Sequence, residues 1–169
     1  MRNRYYLNTD QWDGFPRART DLLAKLAALP GPGALVVSGD IHASFASVEA
    51  GVPCLTTPAI SSGSIQARAK GVVNAAGFSD GSAVFRYVVT EMNASFAAAN
   101  PGIAFSDTDS HGFMVVEIGS GADRDLARVT FHLLPSAEVQ RDYSGQSEAL
   151  AAKFMTRAFT VQRGAISAV

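Results

Sequence analysis

The sequence predicts one mixed α/β (α+β) domain over residues 1–169, and it predicts that the domain ends in antiparallel strands. Two observations support this fold class. In the first part, a helical pattern is followed by a tight loop and a short, wholly apolar segment, which is the order of elements in an α/β unit. After Asn100-Pro101 the apolar residues recur at every second position, which is the period of strands.

The composition excludes several classes of protein. Apolar residues make up 47% and charged residues 17% of the chain, and the net charge is −1, so we expect a globular domain without a basic nucleic-acid-binding surface. No apolar run reaches the length of about 18 residues that a membrane span needs. The single cysteine, Cys54, rules out an intrachain disulfide, and its apolar, strand-like context favours a buried, unreactive thiol.

The first part of the chain alternates between helical and strand-like segments. A helix is predicted over residues 16–29, because proline suits its first turn and the apolar residues form one stripe. Strands are predicted over 34–38 and 52–57, the first buried on both faces of a parallel or mixed sheet. Residues 66–81 show no clear period and are predicted to be a loop or lid, whereas helical spacing predicts an amphipathic helix over 82–98.

The second part reads as antiparallel β-structure. Strands are predicted over residues 112–118, 126–134 and 153–163, the last of these being the final strand. The glycine-rich segment 119–123 is predicted to be a hairpin loop. The strand over 126–134 alternates most cleanly, and its predicted buried face consists of Ala127, Val129, Phe131 and Leu133.

The segment VVSGDIHASF places Asp40 and His42 directly after a predicted strand. Open α/β sheets put their functional sites at such strand ends. A carboxylate together with an imidazole suits divalent transition metals or ferric iron, and carboxylates alone suit calcium or magnesium. The alternative is a polar turn between two core strands.

The segment LNTDQWDGF is a second candidate site. Asp10 and Asp13 flank the only tryptophan, Trp12, just before the first predicted helix. Either the carboxylates belong to a functional site, or Asp13 caps the helix and Trp12 anchors it to the core.

The segment FSDTDSHGF is a third candidate. Asp107, Asp109 and His111 alternate, so in a strand they would share one face and could form a three-ligand metal site; the alternative is a polar turn. Serine catalysis has little support, because no G-x-S-x-G motif is present. Phosphate-binding glycine loops are absent as well.

The order and spacing of these segments are similar to those of a known protein family. Over roughly residues 5–120, the segments LNTDQWDGFPRARTDLLAKLA, VVSGDIHASFAS, CLTTPAISS and NPGIAFSDTDSHGFMVVEI resemble the C-terminal half of PhoD-like alkaline phosphatases, in the calcineurin-like metallophosphoesterase superfamily. The resemblance implies one half of a metallophosphoesterase-type β-sandwich flanked by helices. It also implies metal-dependent hydrolysis of phosphomonoesters or phosphodiesters, typically with iron and calcium.

The resemblance assigns roles to individual residues. Asp10, Asp40 and His42 match ligand positions and would be both metal-binding and catalytic. Asp107, Asp109 and His111 do not form a ligand block in the family and stay secondary candidates. The supporting residues it implies are Trp12, Asp13, Ser61 and Ser62.

The sequence departs from the superfamily pattern in one respect. In the superfamily an N-terminal βαβ half supplies the first ligands, and residues 1–169 contain no segment that resembles it. We therefore expect an exposed sheet edge that is covered by self-association, most simply a two-fold homodimer, in which a composite site could form. The first ten residues lack the apolar core of a signal peptide, although relatives are commonly exported, and the compartment stays unassigned.

Three functions follow as hypotheses. The first is a metal-dependent phosphoesterase that acts on a small phosphoester. The second is a non-catalytic oligomeric remnant with at most weak metal binding. The third is a carboxylesterase-type or promiscuous hydrolase. No nucleic acid or membrane partner is expected under any of them.

Overall fold

Two four-stranded sheets dominate the computed structural model, which describes residues 12–31 and 33–169 except for the side chain of Asp13. The first sheet is mixed, with strand order β1-β3-β2-β4, where β1 runs parallel to β3 and the other pairs are antiparallel. Its strands are β1 (Val36–Ser38), β2 (Ser44–Glu49), β3 (Val52–Thr56) and β4 (Ile103–Asp107).

The second sheet confirms the predicted antiparallel ending. Its strands pair in chain order, and each is antiparallel to the next. They are β5 (His111–Ile118), β6 (Leu126–Leu134), β7 (Met155–Gln162) and β8 (Ala165–Ala168). The predicted hairpin loop lies between β5 and β6, but β7 is not the final strand, since a two-residue turn at Arg163-Gly164 leads into β8.

The core lies between the two sheets. The predicted face of β6 is buried throughout, and Val129 and Phe131 are fully enclosed. Ala46 and Leu55 from the first sheet belong to the same apolar cluster. Phe105 of β4 also reaches across, with its ring centroid 5.3 Å from that of Phe131. This contact between facing strands makes the architecture a sandwich.

Helices flank the sheets. None of them in the described part of the chain is long and apolar enough to cross a membrane. The α-helices are α1 (Pro16–Ala27), α2 (Ile65–Ala75), α3 (Ala83–Phe85), α4 (Met92–Ala99), α5 (Ser136–Val139) and α6 (Ser147–Ala151). A π-helical turn, Arg86–Thr90, separates α3 from α4, and short 3-10 turns occur at Trp12–Gly14 and Gly121–Asp123.

The prediction of a loop or lid over residues 66–81 was wrong for residues 66–75, which belong to α2. Ser64 caps this helix, and its Oγ accepts a hydrogen bond from the Ala67 backbone N at 3.0 Å. Only Val73 of the helix is buried, against Phe85 and Val89. Because only one residue of α2 is buried, the sequence of this segment shows no clear helical period.

Two expectations about the beginning of the chain also need correction. β1 was expected to be buried on both faces, but among the described strands it pairs only with β3, and Val37 is 55% exposed. Trp12 was considered as a core anchor, yet it is half exposed. The N-cap position of α1 is occupied by Phe15.

Candidate functional site

Three loops and the chain just after β6 meet at one end of the sandwich. They are residues 39–43 after β1, 57–64 after β3, 108–110 after β4, and 135–136 after β6. Backbone hydrogen bonds join the loops: Ile65 N donates to the His42 carbonyl at 3.1 Å, and Gly112 N donates to the Ala59 carbonyl at 2.9 Å. Most of the predicted site residues lie at this end.

Asp40 and His42 share an unusual backbone conformation. Their φ angles are 73° and 58°, in the left-handed region that non-glycine residues rarely adopt. Two other non-glycine residues in the described part, Ala50 and Arg163, have similar angles, and each precedes a glycine in a two-residue hairpin turn that requires it. The loop over 39–43 is not such a turn. Strained backbone that a turn does not explain concentrates at functional sites.

The ring of His42 is held in one orientation. Its Nδ1 lies 2.8 Å from the Gly63 carbonyl oxygen. A carbonyl can only accept, so Nδ1 carries a hydrogen, and in the neutral form of the ring Nε2 then has the lone pair. Arg68 Nη2 lies 3.4 Å from the same Nδ1, but a guanidinium can only donate, so the shorter contact to Gly63 decides the tautomer. Metal-binding histidines are typically oriented in this way.

The carboxylate of Asp40 is exposed, and it makes no hydrogen bond or ion pair with any residue that the structure describes. Its oxygens are therefore accessible to a ligand. Carboxylate oxygen and imidazole nitrogen, the donor atoms of Asp40 and His42, are of the types that suit a transition metal or iron.

The described residues supply only some of the ligands that a metal centre needs. Asp40 and His42 have suitable donor atoms, while Asp10 lies outside the described residues. The side chain of Asp13 is likewise not described. Within residues 12–31 and 33–169, no group of three or more His, Cys, Asp or Glu side chains could hold a metal ion. The two placed residues therefore fit a metal centre that needs further ligands.

The hypothesis that Asp107, Asp109 and His111 form one metal-binding strand face is wrong. β4 ends at Asp107 and β5 begins at His111, so Asp109 lies in the turn between the strands. Asp107 Oδ1 accepts hydrogen bonds from the backbone N of Asp109 at 3.1 Å and of Ser110 at 2.8 Å. The alternative of a polar turn, closed by an aspartate side chain, is confirmed.

Asp109 and His111 instead belong to a partly buried polar network. His111 is 5% exposed, and its Nε2 lies 3.0 Å from the Ser62 carbonyl. Asp109 Oδ1 accepts a hydrogen bond from Ser64 Oγ at 3.1 Å and lies 3.0 Å from Ser136 Oγ. Sequence reasoning missed Ser64 and Ser136. A serine directly before the helix could have been found as an N-cap signal, but nothing in the sequence links Ser136 to this end.

The serines do not form a nucleophile site in the described structure. Ser61 and Ser62 are exposed, and Ser62 contributes its backbone carbonyl to the network. Ser136 Oγ lies 3.3 Å from Nδ1 of the buried His111, but it donates to the Asp109 carbonyl at 2.5 Å. A hydroxyl has one proton, so the histidine is not positioned to remove it.

Cys54 behaves as the sequence indicates. It is partly buried on β3, and this burial, with the nearby charge of Glu49, raises the pKa of its thiol to about 11. Arg19 acts in the opposite direction but does not offset these effects. The thiol is therefore protonated and unreactive at neutral pH.

Comparisons with known proteins agree with the sequence resemblance. The family model of PhoD-like phosphatases matches residues 2–125. The chain belongs to the PhoD-like phosphatase family.

A solved structure described as the structure of PhoD matches 95% of this chain with a TM-score of 0.57 and 15% sequence identity. At this identity the likeness concerns the fold, which confirms the metallophosphoesterase-type architecture. This chain spans about a quarter, 26%, of that protein's length. A search of curated proteins found no match.

Proposed function

We propose that Asp40 and His42, together with Asp10, hold a metal ion and that the chain contributes this site to the hydrolysis of phosphomonoesters or phosphodiesters. The observation that carries the proposal is the orientation of His42. Its Nδ1 donates to the Gly63 carbonyl at 2.8 Å, so Nε2 is left as a ligand on a left-handed backbone next to an accessible carboxylate.

Asp40 and His42 would supply different donor atoms. Asp40 supplies anionic oxygen, and His42 supplies a neutral nitrogen. This pair suits iron, and the carboxylates also suit calcium, in agreement with the metals that the family resemblance implies. The chemistry that a metal ion supplies in such a site is Lewis acidity, which stabilises charge on phosphoryl oxygens and promotes the ionisation of a water molecule.

Arg68 is the proposed substrate-binding cation. It lies in the first turns of α2, is exposed, and reaches within 3.4 Å of the His42 ring. A planar guanidinium binds phosphoryl oxygens with paired hydrogen bonds. We propose that it holds the phosphate of the substrate beside Asp40 and His42.

Further ligands are proposed to come from a second copy of the chain. Among the described strands, β1 lies at one edge of its sheet with Val37 exposed, and Leu22 and Leu29 of the preceding segment are also exposed. An exposed edge and apolar side chains favour self-association. Light scattering tests this: a dimer is expected, and a monomer at all concentrations would contradict a composite site.

The test of function is hydrolysis of p-nitrophenyl phosphate and of bis-p-nitrophenyl phosphate, before and after chelation and with iron and calcium added back. We expect turnover that chelation abolishes and metal restores. His42→Ala should abolish it, whereas His132→Ala, a histidine on β6 stacked against Phe113, should leave it unchanged.

Two other outcomes would replace the proposal. Metal binding without turnover on either substrate would indicate a non-catalytic domain. Chelator-insensitive hydrolysis of p-nitrophenyl acetate would indicate an esterase that does not use Asp40 and His42.

A further inference from the structure

Asp109 and His111 form hydrogen bonds to Ser64 and Ser62, the two residues on either side of Gly63. His111 Nε2 donates to the Ser62 carbonyl at 3.0 Å, and Asp109 Oδ1 accepts from Ser64 Oγ at 3.1 Å. Between these anchors, the Gly63 carbonyl accepts from Nδ1 of His42 at 2.8 Å.

We infer that Asp109 and His111 are positioning residues for His42, acting through the backbone of Gly63. The inference rests on the proposed function only in taking His42 as a ligand. The alternating spacing that suggested metal ligands has a different role: Asp109 and His111, two residues apart, hydrogen-bond to Ser64 and Ser62, which are two residues apart in the facing loop.

Gly63 needs external anchors because it has little restraint of its own. It is exposed, and a Cβ at this position would meet no other atom within 4 Å. Glycine also reaches backbone conformations that other residues do not, so its carbonyl could turn away from His42 at little cost. The hydrogen bonds at Ser62 and Ser64 limit that rotation.

The anchors themselves are firmly held. His111 is the first residue of β5, and its side chain is buried. The next residue, Gly112, donates its N–H to the Ala59 carbonyl at 2.9 Å. Ser64 is fully buried and also caps α2, so the loop is tied to a helix on its far side. Hydrogen bonds therefore join the turn over 108–110, the loop over 57–64 and the start of α2.

The tautomer of His42 distinguishes positioning from a merely structural role. Nitrogen-15 NMR of the metal-free chain, at a pH well above the reference pKa of histidine, reports which ring nitrogen carries the proton. In the wild type we expect protonated Nδ1 and unprotonated Nε2. In His111→Leu we expect a mixture of both tautomers, because the Ser62 anchor is lost.

His111→Gln is the matched control. Its side-chain amide can donate to the Ser62 carbonyl as Nε2 does, so it should restore the wild-type tautomer. If His111→Leu does not fold, Asp109→Ala removes the other anchor and is expected to give the same mixture.

An unchanged His42 tautomer in a folded His111→Leu or Asp109→Ala variant would overturn the inference. The measurement needs neither metal nor substrate. Its result therefore stands apart from the hydrolysis assay: a tautomer fixed by His111 in an inactive protein would contradict the proposed function and leave the positioning role intact.

Discussion

Asp40 and His42 lie two residues apart and both adopt left-handed backbone conformations, with φ angles of 73° and 58°. A side chain in this region costs up to about 1–2 kcal/mol, and aspartate and histidine are among the residues that tolerate it best. The conformations of these two residues therefore lower the free energy of unfolding. Such a cost is expected where the geometry that a functional site requires is not the most stable one.

Asp40→Gly tests this cost. Asp40 makes no hydrogen bond within the described residues, so its replacement removes strain without removing a contact. We expect the free energy of unfolding in the absence of metal to rise by about 0.5–1 kcal/mol, measured by urea denaturation. Ala50→Gly, at a hairpin position with φ 48°, is the control and should give a similar gain. A loss of stability in Asp40→Gly alone would contradict the account.

Ser44→Ala is expected to stabilise the protein. Ser44 is fully buried, and its Oγ has no hydrogen-bond partner within the described structure. Removing a buried, unsatisfied hydroxyl should raise the free energy of unfolding by about 1 kcal/mol. Ser47→Ala is the matched control, since the buried Ser47 donates to the Cys54 carbonyl at 3.4 Å and should lose stability. Equal losses in both variants would show that Ser44 has a partner after all.

Cys54 should be slow to react with thiol reagents at mildly alkaline pH. Burial raises its pKa from 9.0 to about 11, so the thiolate fraction at pH 8 falls by about 100-fold relative to the unfolded chain. The labelling rate of native protein, compared with that of urea-unfolded protein, measures this. Native labelling as fast as unfolded labelling would contradict the raised pKa.

The same shift makes stability depend on pH. The folded state holds the thiol proton more tightly than the unfolded state, so this contribution is complete below pH 9.0. It is lost as pH rises toward about 11, and the free energy of unfolding should fall over that interval. Cys54→Ala should show a smaller fall.

Gly112→Ala should disrupt the start of β5. Gly112 has φ 137°, and a Cβ there would lie 1.9 Å from the His132 carbonyl oxygen. We expect a loss of about 3 kcal/mol or more in the free energy of unfolding. Gly71→Ala, in the interior of α2 with no atom within 4 Å, is the control and should stabilise the protein by about 0.5–1 kcal/mol. A tolerated Gly112→Ala would contradict the placement of this strand.

The elements with strong periodicity could be predicted from sequence. The alternation of β6 identified its buried face because that face packs on the facing sheet throughout. α2 was missed because it depends on a cap at Ser64 and a single buried residue, Val73. β2 was also missed, since its apolar and small residues follow the Asp40–His42 loop without a turn signal of their own.

The candidate site could be predicted only at the level of residue types. The sequence indicated that Asp40, His42, Asp109 and His111 carry chemistry. It could not separate the proposed ligand His42 from the proposed positioning residue His111, because that depends on which carbonyls of the loop over 57–64 face each ring. Contacts between residues 45 or 49 positions apart leave no local pattern.

The most direct test of the central claim is the metal content of the purified chain after it is loaded with iron and calcium and passed through gel filtration. The account predicts bound metal in the wild type and its loss in both Asp40→Ala and His42→Ala, with His132→Ala unaffected. Equal metal content in all four proteins, or none in the wild type, would contradict a metal site at Asp40 and His42.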